Sequence, residues 1–97
     1  MKSLFVSYNQ AYNTEIVELL ASFGQRGYTQ WQDIQGVGSI DGEPHLGNHA
    51  WPVLNIALLS VIPDNVVEPI LAALRTMDHQ HPELGLRAFT WNVEQSL

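Results

Sequence analysis

Ninety-seven residues, with four Lys and Arg against ten Asp and Glu and no cysteine, make a small acidic chain of formal charge −6. A chain of this length has room for one hydrophobic core, so it is read as a single domain, 1–97, that would gain stability by assembling with copies of itself. Its basic residues, Lys2, Arg26, Arg75 and Arg87, are scattered, which excludes the clustered positive face that nucleic-acid phosphates need. Without cysteine there is no disulfide, thiolate metal site or cysteine nucleophile. No apolar run approaches the roughly 18 residues of a membrane span, and the first residues lack a signal-peptide pattern, so a cytoplasmic protein without membrane insertion is expected.

In chain order, residues 3–8 form a short aromatic and β-branched run that stops at Asn9 and predicts a first strand. Asn13 or Thr14 is placed to cap a helix in which Ile16, Leu19, Leu20 and Phe23 recur at helical spacing, with Gly24 just past its end. Residues 28–35 alternate weakly and predict a second strand. Residues 53–62 are apolar at nearly every position, which predicts a strand buried on both faces. Asp64 then caps a second helix carrying Val67, Ile70, Leu71 and Leu74, where Pro69 predicts a loosened or delayed start. Residues 79–83 read as loop and 86–93 as the last strand.

The order β-α-β-β-α-β predicts a ferredoxin-like α/β (α+β) fold, a four-stranded antiparallel sheet with two helices on one face. Phe5, Phe89 and Trp91 beside the doubly apolar strand predict that the other face is covered too, most simply by a homo-oligomer.

Between the middle strands lies a glycine-punctuated segment, 36–52, that is too polar for a core yet carries His45, His49, Trp51 and two prolines. His45 with His49, or His79 with His81, beside Asp41, Glu43 or Asp78, offers ligands for a divalent metal. Asn55, alone in an apolar strand, must be hydrogen-bonded, and either pins the loop base or faces a subunit cleft. Trp31 and Trp51 are packing anchors or stacking platforms. No Ser-His-Asp set or paired carboxylates can be placed, so a non-catalytic protein is expected over a small ferredoxin-like enzyme. The run Gln35-Gly-Val-Gly38 is similar to one in acylphosphatases, but it follows the second strand rather than the first, and Ser39-Ile40 stands where their phosphate-gripping arginine would be.

Placed after the second strand, the same run resembles the base of the T-loop in P-II signalling proteins. The likeness extends to Tyr28-Thr-x-Trp31, Gly36-x-Gly38, Gly42-Glu-Pro-x-Leu-Gly47 and His49-x-Trp51-Pro52, a pattern similar to a P-II-like subfamily with a shortened T-loop. Val61-Ile-Pro-Asp64 and Leu86-Arg-Ala-Phe89 resemble further junctions of that family. The resemblance implies a homotrimer with a small-molecule effector, an adenine nucleotide (ATP, ADP or AMP) in particular, bound in clefts between subunits. It implies Gly36, Val37, Gly38, Asn55 and Arg87 as ligand-binding residues, with the Gly36 and Gly38 N–H groups as anion donors. It also implies a regulated protein partner met by Glu43, His45, Leu46, His49 and Trp51. A trimeric divalent-metal module resembling cation-tolerance proteins, with His45 and His49 as ligands, is the alternative.

Overall fold

The structure, a computed structural model, describes residues 1–38, 40 and 42–97. Four strands, β1 (Lys2–Asn9), β2 (Thr29–Ile34), β3 (Asn55–Ile62) and β4 (Arg87–Asn92), form one antiparallel sheet in the order β2-β3-β1-β4. Two helices, α1 (Asn13–Ser22) and α2 (Asp64–Gln80), complete the expected order, with short 3-10 turns at Gln10–Tyr12 and Pro82–Leu84. This is the ferredoxin-like arrangement that the element order predicts.

Strand alternation decides which residues meet the helices. Leu4, Val6 and Tyr8 of β1 and Ile56, Leu58 and Ile62 of β3 are buried against Ile16 and Leu20 of α1 and Val67, Ile70 and Leu74 of α2. The intervening residues point the other way. Register puts Phe5 opposite both Leu59 and Phe89, Ser3 opposite Val61 and Trp91, and Trp31 opposite Ala57. On this helix-free face Phe89 is 57% exposed, Trp91 49%, Trp31 48% and Val61 41%. Within one chain these edge residues are uncovered, although Ala57 of β3 between them is buried; the cover expected for this face was a second copy.

Element ends differ from the sequence reading for local reasons. Asn13 is the first residue of α1 rather than its cap, and Asn9 instead caps the preceding 3-10 turn, its side chain accepting from the Ala11 N–H at 2.9 Å. The chain leaves β1 through one tight turn, so the oxygen nearest the unpaired N–H groups belongs to Asn9. Asn13 turns to the sheet, where its Oδ1 accepts from Tyr8 Oη at 2.7 Å and Gln30 Nε2 at 2.8 Å. At the other end, Gly24 and Gln25 donate to Ala21 and Leu20 carbonyls, the paired bonds of a Schellman stop.

Likewise α2 begins at Asp64 itself, with Pro63 as cap and no side-chain capping bond. The Asp64 carboxylate pairs with the Met1 ammonium at 2.9 Å, which holds it below the usual carboxylate range. Pro69 causes no delayed start, because it lies a turn and a half inside, where burial of Val67, Ile70 and Leu74 outweighs one lost backbone bond. The helix also runs on through His79 and Gln80, expected as loop, until the His81 N–H closes it on the Met77 carbonyl at 3.0 Å. β3 starts two residues late, since Val53 and Leu54 give their carbonyls to Gly47 and Gln10 instead of to a strand. β2 is interrupted between Trp31 and Ile34, with Asp33 at φ 56°, a bulge that turns the chain out of the sheet. Among the described residues no helix is long and apolar enough to cross a membrane.

Candidate ligand site at the base of loop 36–52

A cavity of about 580 Å³ opens where loop 36–52 leaves the sheet. Its size is within the usual range for small-molecule sites. Gly36, Val37, Gly38, Asn55 and Arg87, far apart in sequence, all line it, together with Glu43 and His45 of the loop. Leu46, His49 and Trp51 are not among its lining residues. The reason is topological. Asn55 opens β3 and Arg87 opens β4, and both stand at the end of the helix-free face from which the loop departs.

The loop base is a built structure. Gly36 and His45 pair as an isolated antiparallel bridge, each N–H donating to the other's carbonyl at 2.8 Å. The Gly36 N–H is thus committed to His45 rather than turned to an anion as the resemblance implied. Gly36 matters for another reason: a Cβ there would sit 2.3 Å from Asn55 Nδ2, so a side chain would drive the loop off β3. Val37 and Gly38 make no backbone bond of this kind among the described residues.

His45 is 6% exposed, and its Nδ1 lies 2.6 Å from Oδ1 of Asn55, which is also buried. Asn55 thus pins the loop base, one of the two roles expected of it, and it also lines the cavity. Arg87 reaches back across the mouth, with Nη2 donating to the Gly38 carbonyl at 2.6 Å and Nη1 to the Leu86 carbonyl at 2.7 Å. That strap ties the first strand-end of the loop to β4.

The floor beside Arg87 comes from residues that the sequence reading did not single out, namely Ser7, Asn9, Pro82, Glu83 and Gly85. Ser7 and Asn9 alternate with the core positions of β1, so their face was legible, but their placement opposite Arg87 and Asn55 needed the strand register. Asn9 Nδ2 donates to the Glu83 carbonyl at 3.2 Å and brings the 82–84 turn to the sheet. The Glu83 carboxylate is drawn to the Tyr12 hydroxyl, which donates to Oε1. This bond holds the Glu83 carboxyl below its usual range and pushes the Tyr12 phenol up. Among the described residues the charged side chains that line the cavity are thus Arg87, Glu43 and Glu83.

The remaining expected residues lie on the loop's outer part. Gln35 Nε2 donates to the Leu46 carbonyl at 3.0 Å, and Asn48 and Trp51 close a turn in which the Trp51 N–H donates to Asn48 Oδ1 at 2.7 Å. His49 and Trp51 are exposed, so Trp51 is no core anchor. Trp31 is likewise on the open sheet face. Ser39, which stands where an arginine would be, and Asp41, a possible metal partner, lie outside the described residues. His79 lies in the last turn of α2, while the His81 ring packs at 5.1 Å from that of Tyr12. Among the described residues no three His, Asp or Glu side chains gather as a metal-ligand set.

No family model matches the sequence, and no curated protein matches it. Solved structures do. CPII, a nitrogen regulatory PII-like protein from Thiomonas intermedia K12 bound to ADP, AMP and bicarbonate, superposes with TM-score 0.74 over 97% of this chain and 88% of that chain, at 21% identity. The fold is that of PII-like proteins. Apo CPII matches at TM-score 0.70 and 18% identity, over 95% of this chain and 89% of the other. A protein of Thermus thermophilus described as PII-like and signalling matches at 0.65 and 23%, over 95% and 84%. The PII-like fold thus reaches nearly end to end along this chain, including the loop-bearing edge of the sheet.

Proposed function

We propose that this chain is a non-catalytic, cytoplasmic PII-like regulator of the shortened T-loop kind, which assembles as a homotrimer of single 1–97 domains. It binds a small effector, an adenine nucleotide, in clefts between subunits. The observation that carries this reading is the convergence of Gly36–Gly38, Asn55 and Arg87 on one cavity at the root of loop 36–52. The cavity stands at the end of the sheet face whose apolar part is uncovered, so a second copy laid on Phe89, Trp91 and Val61 would wall it. The ligands named for CPII, ADP and AMP, favour the same chemistry in the same fold.

Transmission would run through the loop base. An effector that binds the cavity better in one loop state shifts the population toward that state, and an effector indifferent to the loop shifts nothing. Glu43, His45, Leu46, His49 and Trp51 then present or withdraw the surface that meets a regulated protein. One arginine against two carboxylates favours a nucleotide of low charge, so AMP and ADP should bind better than ATP.

Calorimetric titration with AMP, ADP and ATP, beside sedimentation velocity at micromolar protein, tests the reading. A trimer that binds AMP, with Arg87→Ala weakening it by roughly ten- to a hundredfold, is expected for a lost charged hydrogen bond. A monomer that binds no adenine nucleotide would overturn the proposal. Zn²⁺, Cu²⁺ and Ni²⁺ in the same titration distinguish the metal module.

A further inference from the structure

His45 is more than a rivet of the loop. Asn55 Oδ1 can only accept, so the 2.6 Å contact places the hydrogen of a neutral imidazole on Nδ1 and leaves Nε2 as an acceptor. The residue is held at two points, its backbone by Gly36 and its Nδ1 by Asn55, and its Cε1 lies so near Gly85 that a Cβ there would come within 3.0 Å. Gly85 has φ 59°, so both its conformation and its contact with the imidazole favour glycine.

No fully buried side-chain nitrogen or oxygen among the described residues lacks a partner, yet no described residue is bonded to Nε2. This atom is therefore not sealed inside the protein, and His45 lines the cavity. An imidazole more than nine-tenths buried at a cavity wall, with Nδ1 engaged and its other nitrogen unsealed, is placed to receive a hydrogen bond from something inside.

We infer that His45 is a specificity residue whose Nε2 accepts a hydrogen bond from a hydroxyl of the bound effector, with Asn55 as the residue that positions it. This deepens the nucleotide reading and rests on it. The ligand class is an anion that carries its own hydroxyl: the hydroxyl can be the sugar's, in a nucleoside phosphate, or the acidic one of a small free oxyanion. A buried acceptor left unmatched penalises a ligand that lacks the donor, so discrimination is read as a ratio of affinities rather than as binding alone.

The test titrates two matched pairs into the trimer, AMP against 2′,3′-dideoxy-AMP and bicarbonate against nitrate. The expected result is a preference of about tenfold for the hydroxyl-bearing member of at least one pair. The pair that shows it identifies the source of the hydroxyl. His45→Phe should abolish the preference by weakening the hydroxyl-bearing ligand alone. A merely structural role would weaken both members equally, and that outcome overturns the inference. In the unmodified protein, the Nε2 resonance of ¹⁵N-labelled His45 should move on addition of the preferred ligand and stay with its partner, which keeps the test independent of any variant's folding. Equal affinities within both pairs overturn the inference while leaving the nucleotide reading intact; no binding by any of the four overturns the inference, and the nucleotide reading falls with it when ADP and ATP also fail to bind.

Discussion

The two faces of the sheet are made by the same strands and meet opposite fates. On one, Leu4, Val6, Leu58 and Ile62 are wholly buried under two helices, and on the other, Phe89, Trp91, Trp31 and Val61 stay about half exposed. Both faces carry large apolar side chains. A strand fixes only that alternate residues point apart, and whether an apolar side becomes core or surface depends on what is laid against it. The helix-covered face is completed by the chain itself, whereas within one chain the other is not. The candidate ligand site lies at the margin of the uncompleted face.

The comparison breaks most sharply in the core. Leu58→Ala should cost about 2–5 kcal/mol in urea unfolding, because the helices cannot collapse onto the vacated volume. Phe89→Ala should cost much less within a single subunit, since that side chain is more than half exposed. A charge at the same place, Phe89→Glu, should turn the proposed trimer into monomer by sedimentation while far-ultraviolet circular dichroism is unchanged. A trimer that survives it would move the assembly surface elsewhere.

At the margin between the faces, Asn55→Ala should destabilise by about 1–3 kcal/mol, as it removes the partner of the buried His45 imidazole. Amide exchange at Gly36 and His45 should quicken in that variant, and unchanged exchange would show that their backbone bridge stands alone.

Titration gives smaller effects. Burial pushes the Tyr8 phenol up to about 12 from its ordinary 10. The fold therefore favours the neutral phenol, so this contribution is intact below the ordinary value and is lost as pH rises toward about 12. Tyr8→Phe should flatten the alkaline end of the stability profile. The exposed Tyr12–Glu83 bond lowers the Glu83 carboxyl, so its contribution is present above the usual carboxylate range and disappears as pH falls through the lowered value. Tyr12→Phe should return the Glu83 carboxyl toward its ordinary titration, followed by ¹³C NMR, with the smallest stability change of the series.

Much of this architecture was legible one element at a time. The Ile16, Leu20 and Val67, Ile70, Leu74 stripes marked both helices, and the Gly-x-Gly run marked the root of the loop. Element ends were less legible, because Asn9, Asn13 and Asp64 each had several partners open to them. Which one each took depended on groups distant in sequence, such as Gln30 and the Met1 ammonium.

The site divides the same way. Asn55 and His45 were conspicuous, one as a lone amide in an apolar strand and the other as a histidine among glycines, but nothing in the sequence joined them to each other or to Gly85. Ser7 and Asn9 had a legible face, but nothing in the sequence placed them or Glu83 beside Arg87 and Asn55.

By itself, the sequence determined periodicity: which residues turn together, where helices run, and that a polar glycine-rich loop interrupts the middle of the chain. Those are short-range consequences of backbone geometry and side-chain type. Only the tertiary structure decided that the loop's first rung closes on His45, that Arg87 reaches Gly38 across 49 positions, and that one face of the sheet is left open. The physical reason is register. Hydrogen bonds between strands set which distant residues stand opposite, and a shift of one residue would have placed Asn55 and Arg87 among the core leucines.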